Sequence, residues 1–458
     1  MHVPALWRYG FSLLAGGAAF AAEAASFTVS KAADTADGRC DSDCSLREAI
    51  GAANANPGFD TIVLPALYYR ITRPTPRDPE QDDNVTVDED ANAVGDFDIA
   101  GDLLIKARPG AVVDGNSLER VFEVLGGVSA EFRDFDIRRG YERERGAGVA
   151  NAGTLKLVRM KLRLNKAASA FNRGQGGAIS NTGTLSIADS AVIDNSAAGG
   201  EASAGEGGGI WNSGRLNVWT TRFSGNVTRD DNDIGGGGAI MNRGGTVSIQ
   251  RAYFTGNSTQ QHGFGGALAN RDGGRMVVVN ATISGNHSGE PGIGGGAVAN
   301  GTSQRDDGGS LTMRFVTLAD NDGGGLYNAG SASYFDTIVG GNYEDYGSSD
   351  TRDYYANNNC VNLYYTRSNA AIVGEGTGNC AANHEVDNAA IMTLVIEPLA
   401  ANGGFGPTHA VRDGSIAIDA ASGAEGGCPA TDQRGVARPV DGDFDGTAIC
   451  DIGAYERQ

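Results

Sequence analysis

Between Gly146 and Asn342 the chain repeats one pattern of apolar and polar positions. An aliphatic residue, a variable residue and an asparagine follow a pair of small residues, as in Gly176-Gly177-Ala178-Ile179-Ser180-Asn181 and Gly237-Gly238-Ala239-Ile240-Met241-Asn242. The asparagines are Asn151, Asn181, Asn212, Asn242, Asn270, Asn300 and Asn328. Two positions before them stand Val149, Ile179, Ile210, Ile240, Leu268, Val298 and Leu326; between lie Ala150, Ser180, Trp211, Met241, Ala269, Ala299 and Tyr327. Alternate residues of a strand face opposite sides, so the aliphatic and the asparagine are expected inside and the variable residue outside.

A second block runs from glycine to asparagine without gaps: Gly183 to Asn195, Gly214 to Asn226, Gly245 to Asn257, Gly274 to Asn286. In the last, Met276 and Val278, then Ala281 and Ile283, are apolar pairs two apart, which predicts two strands joined by a bend. Each unit of roughly 30 residues then holds three short strands and three corners, and cannot bury its core alone. Propeller blades need four strands and leucine-rich repeats a leucine ladder, so both fit poorly. The expected fold is all-β: a right-handed parallel β-helix solenoid with a short N-terminal capping helix and disulfide-bearing ends. Inward asparagines should form ladders, since the amide both donates and accepts and the residue tolerates left-handed corners.

Outside the array, Phe27-Thr28-Val29 and Asp60 to Leu64 read as strands. Ser45-Leu46-Arg47-Glu48 is a capping box opening a helix to about Asn54, stopped by Asn56-Pro57-Gly58. Leu103-Leu104-Ile105, Ala111 to Val113, Val121 to Val124 and Phe132 to Ile137 are further short strands, while Pro74 to Asp90 is a polar loop. The expected organisation is a signal peptide over 1–25, an N-terminal cap over 26–64, solenoid coils over 65–342, and last irregular coils with a C-terminal cap over 343–458.

Composition sharpens the picture. Gly is 70 of 458 residues without a collagen period, which calls for many tight turns. The formal net charge of −20 argues against nucleic acid, because no basic stripe exists to displace phosphate counterions. Arg8 followed by an apolar run from Phe11 to Ala21 reads as an export signal, with Ala19-Phe20-Ala21 or Ala22-Glu23-Ala24 before the cut. The run is too short to span a bilayer. Six cysteines lie outside the array: Cys40, Cys44, Cys360, Cys380, Cys428 and Cys450. Six allow 15 connectivities; the sequence-local pairs Cys40–Cys44, Cys360–Cys380 and Cys428–Cys450 are favoured over a zinc site, which has no histidine at ligand spacing.

Two stretches resemble known families. Phe27-Thr28-Val29, Cys40 and Cys44-Ser45-Leu46-Arg47-Glu48-Ala49-Ile50 resemble the CSLREA region of exported bacterial β-helix proteins, whose repeats are of the polymorphic outer-membrane-protein type. Gly403-Gly404-Phe405-Gly406-Pro407-Thr408-His409, Ser415 to Asp419, Asp432-Gln433-Arg434-Gly435, Arg438-Pro439 and Cys450 to Glu456 are similar to the closing segment of the choice-of-anchor Q family. The resemblance implies export and a surface β-helix; it implies no chemistry. No sorting signal follows these residues before Gln458, so free secretion is expected over anchoring.

Candidate chemistry lies in what fails to repeat. Asp441-Gly442-Asp443-Phe444-Asp445-Gly446 sets carboxylates at alternate positions, as calcium loops do, with Asp451 next to the place of the closing bidentate ligand. Loops between the second asparagine and the next Gly-Gly carry Glu201, Glu206, Asp230, Asp231, Asp233, His262, His287 and Glu290, and insertions on one flank of a solenoid are often its binding face. Tyr343, Tyr346, Tyr354 and Tyr355, with Tyr364 and Tyr365, are aromatics suited to stacking on sugars or to packing over the core end. Asp134, Asp136 and Arg138 alternate on one strand and offer a face suited to acid–base work, with no partner motif identifiable on a neighbouring coil. The expected function is a secreted or cell-surface, monomeric, adhesin-like solenoid that contacts carbohydrate or matrix without catalysis. The alternative is a calcium-dependent polysaccharide lyase or glycoside hydrolase.

Overall fold

The computed structural model describes residues 23–76, 89–169, 173–200, 204–229, 235–260, 263–289, 295–302, 307–344, 359–375, 378 and 380–458. The chain is a parallel β-helix: among the described residues, the strands stack into sheets of 22, ten and five strands, and every pairing between these strands is parallel. The right-handed sense is the one that connections between parallel strands take.

One coil shows the design. Ile179–Asn181 belongs to the ten-stranded sheet, Thr184–Ala188 and Ala191–Ile193 to the 22-stranded sheet, and Ser196–Ala198 to the five-stranded one. The coil therefore has four strands, not the three expected. The fourth begins directly after the second asparagine, where the periodicity predicts only loop. It buries a single small residue, Ala197, so it carries no apolar alternation to read.

The inward pattern holds. Val149, Ile179, Ile210, Ile240, Leu268, Val298 and Leu326 stack as one buried column. Leu185 with Ile187, Leu216 with Val218 and Val247 with Ile249 fill the opposite wall. Phe223 stacks on Phe254 with ring centroids 4.8 Å apart. Two asparagine ladders run along the core. From Asn151 through Asn328 to Asn362, each side-chain amide donates to the next carboxamide oxygen at 2.6–2.8 Å. From Asn165 to Asn359 the second ladder does the same at 2.8–3.2 Å. There the backbone N–H donates to the same oxygen, as Asn195 does to Asn226.

The ladder asparagines do not take the left-handed conformation expected of them. That falls to the residue before the second ladder, such as Asp194 and Gly225, and to the first glycine of the pair, Gly176 at φ 71°. The second glycine, Gly177, is needed for space: a Cβ there would lie 2.3 Å from the Gly208 carbonyl oxygen of the next coil.

At the N-terminus, Ser26–Thr28 pairs with Asp60–Leu64, which pairs with Leu103–Ala107, so the cap is continuous with the solenoid sheet. The helix Leu46–Ala55 carries the expected capping box. It buries Leu46, Ala49, Ile50 and Ala53 over the open end, with Arg47 paired to Asp34 at 2.7 Å. Phe132 to Ile137 is two strands, Ser129–Arg133 and Asp136–Arg138, because Asp134 turns the corner at φ 68°. All three favoured disulfides are present.

The segment 343–458 does three different things. Cys360–Asn362, Tyr365–Asn369 and Ile372–Gly374 add a further coil. Asn388 extends the second ladder, its carboxamide oxygen accepting from the Gly341 N–H at 2.6 Å and its amide donating to the Asn342 carbonyl at 2.9 Å. Beyond Ile396 the chain runs back along the outside of the long sheet. His409 meets Ser284 at 2.9 Å, Thr282 donates to Gln433 at 2.6 Å, and the Ala454 N–H donates to Thr317 at 3.0 Å.

Candidate functional site

The acidic loop was the strongest sequence candidate. Asp441 and Asp443 lie beside Asp419, with one carboxylate oxygen from each within 4.8 Å of the others. Asp419 accepts from the N–H groups of Gly442 at 2.9 Å, Asp443 at 3.0 Å and Ile449 at 3.2 Å, which holds the loop around it. The other two sequence candidates stand apart. Asp445 accepts from the Thr447 N–H at 2.7 Å. Asp451 is buried, its two oxygens taken by the N–H groups of Asp419 and Arg457, and burial pushes its pKa up. Asp419 was not predicted as a ligand: it lies far upstream of Asp441, and the fold alone brings the two together. Three oxygen donors of this kind suit a hard cation.

The loop flank is largely closed where it is described. Asp230, Asp231, Asp233, Glu201, His262 and Glu290 lie outside the described residues, as do Tyr346, Tyr354 and Tyr355. Glu206 is fully buried, held by Arg173 at 2.8 Å, Arg243 at 2.5 Å, Gln175 at 2.9 Å and the Trp211 indole at 3.1 Å. His287 meets Asp322 at 2.7 Å. Tyr343 is half-buried and continues the backbone ladder at Asp322.

The variable positions of the ten-stranded sheet do face outward, yet Ser180, Trp211, Met241, Ala269, Ala299 and Tyr327 are all buried. Two of the segments leading into a Gly-Gly pair fold back over them where they are described: Glu206 bonds Trp211, and Phe264 meets Tyr327 with centroids 6.2 Å apart. Among the described residues, a face covered in this way offers no groove.

The acid–base alternation is neutralised coil by coil. Asp134 pairs with Arg159 at 2.6 Å, Asp136 with Arg163 at 3.0 Å, and Arg138 with the buried Asp114 of the preceding coil at 2.9 Å. Asp114 also takes Arg139 at 2.9 Å and the Tyr68 hydroxyl. Burial works against its charge, but these bonds together hold its pKa below the usual carboxylate value.

Where the returning C-terminal segment does not cover it, the outer face of the 22-stranded sheet is open, as at Arg215–Trp219. On Arg215–Trp219, Leu216 and Val218 point inward, so Arg215, Asn217 and Trp219 point out. Trp219 is 45% exposed, where Trp211 is buried. Its lateral neighbours are Ala188 and Gln250. Ala188 is short, so one side of the indole stands clear of the sheet. Trp219, Asn217, Ser186, Lys156, Ser248 and Gln250 line a depression of about 290 Å³. Lys156 is oriented by Glu131 at 3.2 Å. An exposed indole ringed by hydroxyl, amide and ammonium groups offers an apolar plate with hydrogen-bonding edges. The period-two pattern places Trp219 outside; only its lack of a cover was unreadable from sequence.

No family model and no curated protein matches the chain. Among solved structures, the crystal structure of pectate lyase Pel9A is similar with 14% identity and a TM-score of 0.44, over 95% of this chain and 96% of that one. No helix among the described residues is long and apolar enough to cross a membrane.

Proposed function

We propose that this protein is an exported β-helix that binds a polysaccharide along the outer face of its long sheet without turning it over. The observation that carries the reading is the exposed Trp219 plate beside Asn217, Ser186 and Gln250. Sugar rings present an apolar C–H face and polar hydroxyl edges, and this surface offers both complements. The reading is supported on the non-catalytic side by the arginine partners of Asp134, Asp136 and Asp114. Three disulfides suit an oxidising compartment outside the cytoplasm.

Calcium belongs to the same proposal. Asp419, Asp441 and Asp443 would hold the ion, and its chemistry there is structural: it would neutralise three neighbouring carboxylates and fix the loop closed by Cys428–Cys450. Retention of the protein on a panel of neutral and acidic polysaccharides, with and without calcium, tests the reading. Absence of retention on every member contradicts binding, and released reducing or unsaturated sugars contradict the absence of turnover.

A further inference from the structure

Asp60 is fully buried at the start of the strand Asp60–Leu64. Its Oδ1 accepts from the Ala25 backbone N–H at 2.6 Å and from the Asn56 side-chain amide at 2.9 Å. Its Oδ2 is buried with no hydrogen-bond partner, and no cationic side chain pairs with Asp60 among the described residues. A buried carboxylate with one orphaned oxygen and no counter-charge is costly. The atom facing it is a peptide nitrogen with one proton to give. The same nitrogen as a chain terminus would carry a positive charge and three donors, enough for both oxygens.

The surroundings fit a terminus at that nitrogen. Ala25 is pinned from the other side by the Thr61 N–H, which donates to its carbonyl at 2.9 Å. Glu23 and Ala24 are exposed, while Ala25 is half-buried. The chain reads Ala22-Glu23-Ala24 just before it, small residues at the third and first positions ahead of the bond, as export peptidases require.

We propose that the Ala24–Ala25 peptide bond is the processing site, and that the amine it releases forms a buried ion pair with Asp60 that locks the first rung of the long sheet. An export peptidase adds water across the bond. The hydroxyl goes to the Ala24 carbonyl carbon, the C–N bond breaks, and Ala24 leaves as a carboxylate. The Ala25 nitrogen takes up two protons, the one left from the water and the one the new carboxyl group releases, and becomes the ammonium facing Asp60. Processing then stabilises the fold it exposes, because the charge that completes the Asp60 site does not exist before the cut. The inference rests on the export half of the proposed function and not on the polysaccharide half.

The test has two arms, neither of which uses a sugar. In an exporting host, the intact mass and N-terminal sequence of the full-length gene product should give Ala25 as the first residue. A chain cut elsewhere overturns the proposal alone, and a chain that keeps its first residues overturns the export reading as well. In the second arm, protein released from a removable fusion with a free Ala25 amine is compared with protein carrying one extra residue before Ala25, each as wild type and as Asp60→Asn. The free-amine wild type should melt about 5 °C or more above the extended form, and the gap should close in the Asp60→Asn pair. Equal melting of the two wild-type forms, or an equal gap in both pairs, overturns it.

Discussion

Asn181 donates its side-chain amide to the Asn212 carboxamide oxygen at 2.6 Å, one coil along, and Asn212 passes the same bond to Asn242 at 2.8 Å. Each asparagine is thus both the acceptor for the coil before it and the donor for the coil after it. All three are fully buried, so neither role can be taken over by water.

Breaking a ladder should therefore cost more than one bond. Asn212→Leu keeps the volume but leaves the Asn242 oxygen without a partner, at about 1–3 kcal/mol, and removes one bond of about 0.5–1.5 kcal/mol from the Asn181 amide, which keeps the Gly183 and Arg215 carbonyls. The expected loss, measured by denaturant unfolding, is roughly 1.5–4.5 kcal/mol. An unchanged unfolding midpoint would show that the ladder contributes nothing.

Calcium should raise the melting temperature of the protein, and chelation by EDTA should lower it. Asp441→Asn should abolish the response, because Asp441 joins Asp419 and Asp443 in the three-carboxylate group. Asp445→Asn should leave most of it, since that carboxylate turns to the Thr447 N–H. A melting temperature indifferent to calcium in the wild type would remove the metal from the account.

Glu456 carries a pH signature. Burial pushes its pKa up to about 7, with Arg438 at 3.4 Å pulling the other way, and its oxygens accept from the N–H groups of Val440 and Asp451. Between its ordinary value of 4.5 and about 7, the folded chain holds a proton that the unfolded chain has released. Its contribution to stability is therefore fully present below 4.5 and lost as pH rises through 7. Relative to Glu456→Gln, the wild type should lose melting temperature between pH 5 and pH 8. Parallel melting curves for the two proteins would contradict this. Buried His409 acts in the opposite sense: burial lowers its pKa, so the comparison with the Gln variant is needed to isolate Glu456.

Much of this was readable from the chain. The aliphatic column of Ile179 and Ile210, both asparagine ladders, the capping box at Ser45 and the three disulfides follow from local spacing, because each depends on residues at a fixed offset. The fourth strand did not show, since Ala197 is the lone inward residue of its three. Asp419 joins Asp441 by tertiary packing across 22 positions, which no local pattern encodes. The same holds for the return of the C-terminal segment along the sheet: the Ala454 and Thr317 partners lie 137 residues apart. Trp219 was legible as outward and illegible as uncovered, since the cover over Trp211 comes from loops that the strand pattern does not describe.

Trp219→Ala tests the central claim most directly. Because Trp219 points out of the sheet and is 45% exposed, the variant should unfold within about 0.5 kcal/mol of the wild type. The measurement is affinity for the polysaccharide that retains the wild type best, with the reaction mixture assayed for new chain ends. The account predicts a loss of about tenfold or more in affinity, near 1.4 kcal/mol, with no sugar released by either protein. Unchanged affinity in the variant, or product formation by the wild type, would contradict it.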